Sequence, residues 1–174
     1  MSARSGYVQI YTGEGKGKTT AALGLSLRAL GRGLRVILIQ FMKGDPRWGE
    51  IVMAERIGID VLQAGLDHWV FKGEATAEDL AAAAEGFSKA HEIVMTGVYD
   101  LVILDELMTA TSFDLVPAEA ILGLMRDKPA GVELVMTGRG APDEIIAAAD
   151  LVTEMVPRKH YYDAGVSARE GIEY

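Results

Sequence analysis

Thr12-Gly13-Glu14-Gly15-Lys16-Gly17-Lys18-Thr19-Thr20 lies between an alternating apolar run, Tyr7 to Tyr11, and Ala21-Ala22-Leu23-Gly24-Leu25, which reads as helix. A strand, a glycine-rich turn and a helix opening at Lys-Thr-Thr form the setting that a phosphate-binding loop needs. Glycines let the backbone fold into a nest of N–H donors close to phosphate oxygens, where a side chain would clash. The new helix adds its positive end. Lys18 supplies a mobile charge for the phosphates, and the Thr19 hydroxyl can ligate the accompanying Mg²⁺. Thr12 stands where such loops usually carry glycine, five residues before Gly17, and glycines stand instead at 13, 15 and 17. A glycine-rich turn without a ligand is the alternative. The preceding strand, the spaced glycines, two lysines and the threonine pair together favour a phosphate site.

The length of 174 residues fits a single domain, residues 1–174, with a sizeable core. Apolar content of 49% with only 7% aromatic residues suits an α/β protein. No apolar run reaches the roughly 18 residues of a membrane span, and residues 1–6 do not resemble a signal peptide. The expectation is a soluble, cytoplasmic protein. With no cysteine, disulfides, thiolate chemistry and cysteine-bound zinc are excluded. The net charge of −8 is unevenly spread: residues 1–50 carry eight Lys/Arg against three Asp/Glu, and the remainder nine against twenty-two. The basic end is the end with the phosphate loop. An acidic remainder argues against nucleic acid and for a small polyanion.

In chain order, residues 7–12 read as the first strand and 18–32 as the first helix, ended by Gly31 and Gly33. Residues 35–41 (RVILIQF) are a near-continuous apolar run, hence a strand buried on both faces. A Gly/Pro/Asp loop follows over 42–49, then a short helix at 50–57 and a short strand at 60–63. Residues 64–73 are irregular and aromatic, and Thr76 with Asp79 caps a long helix to about Met95. Residues 101–106 (LVILDE) are a second apolar strand, ending in two carboxylates. Pro117 opens a helix to about Arg126, 133–137 is a strand leading into Gly138-Arg139-Gly140, 142–149 a helix, and 151–155 a last strand before a polar tail. Strands alternating with helices imply one doubly wound, mostly parallel sheet with helices on both faces, a phosphate-loop NTPase-like and RecA-like arrangement. Ligands of such sheets bind beyond the carboxyl ends of strands. The phosphate loop, Asp105-Glu106 and Gly138-Arg139-Gly140 all fall there, so they are expected to meet.

An apolar strand ending in Asp-Glu is the usual companion of a phosphate loop, because Mg²⁺ needs a carboxylate opposite the threonine hydroxyl. Asp105 or Glu106 would supply it; the alternative is an ordinary acidic strand end. Arg139, flanked by glycines, can reach phosphate oxygens as a bidentate fork or stand as a solvent-exposed loop arginine. Arg28 could do likewise or sit on the surface. Trp69 and Phe71 either close an edge of the core or contact a ligand. His68, His91 and His160 are scattered and make no metal cluster at a familiar spacing. No general base is evident.

Four ordered motifs give a resemblance: YTGEGKGKTTAA, VILIQFMKG, LVILDEL and VMTGRG, with KHYYDAGV and the closing GIEY behind them. Together they resemble the ATP:corrinoid adenosyltransferases of cobalamin biosynthesis, over nearly the whole chain from Gly6 onward, and the Thr12 departure is itself a family trait. The resemblance implies that a Co(I) corrinoid, cob(I)yrinic acid a,c-diamide or cob(I)alamin, attacks the 5′ carbon of ATP and releases triphosphate. Co(I) is a strong nucleophile and the leaving group is a Mg²⁺-bound triphosphate, so neither a base nor an acid is required. Catalysis then reduces to positioning and electrostatics. By resemblance Gly13, Glu14, Gly15, Lys16, Gly17, Lys18, Thr19 and Thr20 hold the triphosphate, Lys18 and Thr19 most directly. Glu106 helps hold Mg²⁺, and Arg28 and Arg139 match family arginines near the phosphates. Trp69 and Phe71 match the spacing of an aromatic pair that displaces cobalt's lower axial ligand and eases reduction of Co(II), although the family more often has Phe first. Longer members carry an N-terminal extension that helps cover the site, whereas about six residues precede the first strand here. The family works as a homodimer and receives electrons from a reductase, possible partners here being a flavoprotein and a second copy.

Two rival readings remain at this level. A phosphate-loop nucleoside or small-molecule kinase would release ADP, and its thymidine-kinase type usually adds a cysteine-bound zinc, which this chain cannot build. A nucleotide-dependent switch ATPase would need a surface for a protein partner.

Overall fold

The runs Val36–Phe41 and Leu101–Asp105 are buried along their whole length, as apolar runs must be when helices cover both faces of a sheet. The computed structural model describes residues 5–66, 68 and 70–173. The elements in chain order are β1 (Val8–Thr12), α1 (Lys18–Leu30), β2 (Val36–Phe41), α2 (Gly49–Ile57), β3 (Asp60–Ala64), α3 (Ala77–Thr96), β4 (Leu101–Asp105), α4 (Leu107–Ser112), α5 (Ala118–Asp127), β5 (Glu133–Thr137), α6 (Asp143–Ala148) and β6 (Leu151–Glu154). A 3-10 turn follows at Tyr161–Ala164. The six strands form one sheet in the order β3-β2-β4-β5-β1-β6, with each of its neighbouring pairs parallel.

Period-two alternation sorts the strand residues onto two faces. Leu38, Ile103 and Val135 pack with Ala22 and Ala29 of α1 and with Ile51 and Ala54 of α2. Ile39, Leu104 and Met136 face the other way, against Ala83 and Ala90 of α3, Leu107 of α4, Leu124 of α5 and Ile145 of α6. The sheet is therefore doubly wound. The chain steps from β1 through β2 to the β3 edge and then turns back through β4 and β5 to β6, and because all the strands are parallel the carboxyl ends of β1, β2, β4 and β5 lie along one rim. No described helix is long and apolar enough to cross a membrane.

Helix α4 was not legible in the sequence. Its six residues, LMTATS, carry two threonines and no side-chain cap, so propensity offers little. Burial of Leu107, Met108, Ala110 and Thr111 holds it, which is how most short helices persist. Helix α3, in contrast, begins where its capping box predicts: Thr76 Oγ1 accepts from Asp79 N at 3.2 Å and Asp79 Oδ2 accepts from Thr76 N at 2.9 Å. Thr76→Ala should cost about 1 kcal/mol. Urea unfolding should show a lower midpoint at unchanged slope, and an unchanged midpoint would mean that the box contributes nothing.

Candidate functional site

The loop between β1 and α1 is shaped by what crosses it. Gly15 N donates to Met155 O at 2.6 Å, just past β6, and Met155 N donates to Thr12 O at 2.8 Å. A Cβ on Gly13 or on Gly15 would lie 2.6 Å from Met155 O, too close for any side chain. Glycine is thus required at 13 and 15 by this crossing. Thr12 still belongs to β1, paired with Glu154, where no such demand exists. Gly17 caps α1 at φ 117, and α1 has neither a side-chain cap nor an acidic residue in its first turn. Its leading N–H groups and the positive end of its dipole are left to an anion.

Lys18 is nearly buried, and its ammonium donates to Gly13 O at 2.7 Å and Gly15 O at 2.9 Å. Burial pulls its pKa below the usual lysine range, against the opposing charge of Glu106. Thr19 reaches across to β4, donating from Oγ1 to Asp105 Oδ1 at 2.8 Å. Glu14 extends from the loop to Arg139, 3.2 Å from Oε2 to Nη1, with both side chains largely exposed. Lys16 turns away: its Nζ donates to Ile172 O at 2.9 Å and lies 3.5 Å from Glu173. There Glu173 also pairs with Arg169 and Tyr161, which hold its carboxyl at about 2. A cavity of about 330 Å³ opens beside Gly15 and Lys16, walled on its far side by residues 156–161. Thr20 is an exposed residue of the first turn of α1.

The two carboxylates after β4 do not act as one pair. The strand stops at Asp105, which is fully buried. Glu106 enters left-handed backbone at φ 59 and opens α4. Its N–H donates to Thr137 Oγ1 at 3.0 Å, and its Oε2 accepts from Thr109 at 2.6 Å. Thr109 Oγ1 in turn accepts from Arg139 N at 2.9 Å. Gly138, at φ 137, lets this turn close, since a Cβ there would meet Thr109 N at 2.4 Å. Glu106 and Arg139 are thus fixed to each other across the ends of β4 and β5.

The structure brings together Gly13, Gly15, Gly17, Lys18, Thr19, Asp105, Glu106, Glu14 and Arg139. It does not bring Arg28 to them. That residue lies in the last turn of α1, some ~15 Å along the helix from Lys18, where its charge acts on the Tyr11 hydroxyl. Phe71 is 62% exposed, so it closes no core edge. Trp69 lies outside the described residues. Sequence reasoning missed Lys43, Gln40, Thr137 and Thr109. A glutamine inside the apolar run VILIQF was the one available signal, since buried amides need partners.

The donor set suits a Mg²⁺ that arrives with a nucleotide. Among the described residues no three His, Asp or Glu cluster around a common point. A hydroxyl and one or two carboxylates are what phosphate-bound Mg²⁺ takes from protein, the rest being phosphate oxygens and water.

A family model of the ATP:corrinoid adenosyltransferases BtuR/CobO/CobP matches residues 4–174. The chain is 36% identical over 169 residues to the corrinoid adenosyltransferase of Escherichia coli, covering 97% of this chain and 86% of that protein. It is 35% identical over 169 residues to the corrinoid adenosyltransferase of Salmonella typhimurium, with the same coverage. The corrinoid adenosyltransferase of Pseudomonas aeruginosa is 34% identical over 170 residues, 97% of this chain and 84% of that protein. Matched almost end to end by the family model and by these relatives, the chain belongs to the ATP:corrinoid adenosyltransferase family.

Proposed function

We propose that this chain transfers the 5′-deoxyadenosyl group of ATP to the Co(I) centre of a corrinoid, cob(I)yrinic acid a,c-diamide or cob(I)alamin, and releases triphosphate. The observation that carries the reading is the glycine-shaped loop of residues 13–20, with Lys18 held over it by the carbonyls of Gly13 and Gly15 and Thr19 reaching Asp105 at the end of β4. The cobalt electron pair forms the Co–C5′ bond, the C5′–O bond breaks, and its electrons leave with the triphosphate. No proton moves, so the reaction asks for no general base. The residues' tasks are then binding and alignment. Backbone N–H groups of the loop, Lys18 and Arg139 gather the triphosphate charge, and Thr19 with Glu106 would hold Mg²⁺. When bound there, Mg²⁺ would supply charge neutralisation for the triphosphate. Asp105 supports Thr19 from below and stays out of direct metal contact.

We further read the enzyme as a cytoplasmic homodimer served by a flavoprotein reductase. Edge strand β6 supports the dimer, since Leu151 and Val152 on it and Val156 just beyond stand 38–58% exposed.

Phosphorus NMR of a turnover mixture with ATP, Mg²⁺ and chemically reduced cobalamin is the test. Intact triphosphate, growing in step with the alkylcobalt absorbance, is expected. ADP as the main product would return the protein to the kinases or switch ATPases.

A further inference from the structure

Asp105 is saturated. Its Oδ1 accepts from Thr19 at 2.8 Å and Thr137 at 2.7 Å, and its Oδ2 from Lys43 at 2.9 Å and Gln40 at 3.4 Å. A carboxylate offers about four lone-pair positions, so none is left for a metal. The Thr19 hydroxyl has one proton, and Asp105 takes it. The Thr19 oxygen must then present lone pairs elsewhere, which is what a hydroxyl ligand to a cation needs. That orientation holds only while Asp105 remains a fixed anion in a fully buried position.

Lys43 supplies the counter-charge, and the backbone is strained to put it there. Met42, just past β2, sits in left-handed backbone at φ 58, a conformation unfavourable for an unbranched bulky residue. A Cβ on Gly65 would lie 2.3 Å from Lys43 N, so glycine is needed where the loop after β3 passes. The ammonium is 2.9 Å from Asp105, 3.8 Å from Glu50 and 5.0 Å from the centre of the Trp48 ring. Its side chain is only 12% exposed. Burial works against the charge, yet Asp105 and Glu106 outweigh it and hold the pKa above the ordinary lysine value. These partners commit Lys43 to Asp105, Glu50 and Trp48.

We propose that Lys43 is a positioning residue of the nucleotide site: it fixes Asp105 as the acceptor of the Thr19 proton, so that the Thr19 oxygen is free for nucleotide-bound Mg²⁺. The inference rests on the reading that ATP and Mg²⁺ bind at this loop. It adds a residue that acts on the ion through two others, Asp105 and Thr19.

Calorimetric titration of ATP over a range of Mg²⁺ concentrations, without corrinoid, tests it on wild type, Lys43→Met, Asp105→Asn and the double variant. Each single change should raise the Mg²⁺ concentration for half-maximal tightening by about tenfold or more, the usual effect of removing a residue that orients a ligand. ATP affinity without Mg²⁺ should stay within about twofold, whereas a merely structural defect would weaken both alike. The double variant should match the worse single one, because both residues act through Thr19. Lys43→Arg, which keeps the cation, should restore most of the Mg²⁺ response. Should Lys43→Met fail to fold, the comparison of Asp105→Asn with the charge-neutral double variant decides. Less than a twofold difference in Mg²⁺ response supports the proposal, and a further fivefold loss overturns it. A folded Lys43→Met with wild-type Mg²⁺ response also overturns it while leaving the ATP site intact. Wild-type binding that ignores Mg²⁺ removes the metal reading and the proposal together.

Discussion

Lys18→Ala should lower kcat/KM by about 30- to 1,000-fold, a loss of roughly 2–4 kcal/mol of transition-state stabilisation. The ammonium is already desolvated: burial depresses its pKa, and it rests on the carbonyls of Gly13 and Gly15 rather than in water. A charge held this way needs little reorganisation to meet triphosphate, so most of its attraction is available when C5′–O cleavage adds charge to the leaving group. The same contacts set the control. The two carbonyls lie on the loop, and losing their donor should leave the sheet and α1 in place, so the melting temperature should shift by little. Calorimetry with ATP and a steady-state assay with reduced cobalamin measure the two halves. Unchanged ATP affinity together with an unchanged rate would move the triphosphate away from this loop.

What the sequence disclosed, and what it hid, follow from the range of the interactions involved. The loop was readable because glycine spacing, a preceding strand and an opening helix are all local. The Thr76–Asp79 cap was readable for the same reason, three residues apart. β2 and β4 declared themselves by unbroken apolar runs. The Lys43–Asp105–Thr19–Thr137 network joins residues 32 to 86 positions apart, through hydrogen bonds that no local pattern encodes. Glu106 looked like the twin of Asp105 because the sequence does not show where a strand stops. The left-handed backbone of Glu106 itself turns that half-buried carboxylate away from its buried neighbour. Arg28 shares α1 with Lys18 and Thr19, but the helical rise between them carries it to the far end of that helix. The requirement for glycine at 13 and 15 comes from Met155, brought over the loop only when β6 pairs with β1.

Phe71→Ala should leave thermal stability close to wild type, because a side chain 62% exposed has little core contact to lose. A buried aromatic would cost about 3–5 kcal/mol, so the melting curve separates the two readings at once. Its effect on activity should depend on how cobalt is supplied. The resemblance implies that Trp69 and Phe71 displace cobalt's lower axial ligand, and Co(I) has no such ligand. With cobalamin chemically reduced beforehand, most activity should survive. With Co(II) and a mild reductant, the rate should fall by about 30-fold, the scale of removing one anchoring aromatic from a binding surface. An exposed phenyl ring on the loop beyond β3 otherwise gives up solvation free energy for nothing, and a flat apolar ligand would supply the missing cover. The comparison needs both supply conditions on one preparation of Phe71→Ala. Equal losses under the two conditions would confine Phe71 to general corrinoid affinity, and no loss under either would remove it from the site.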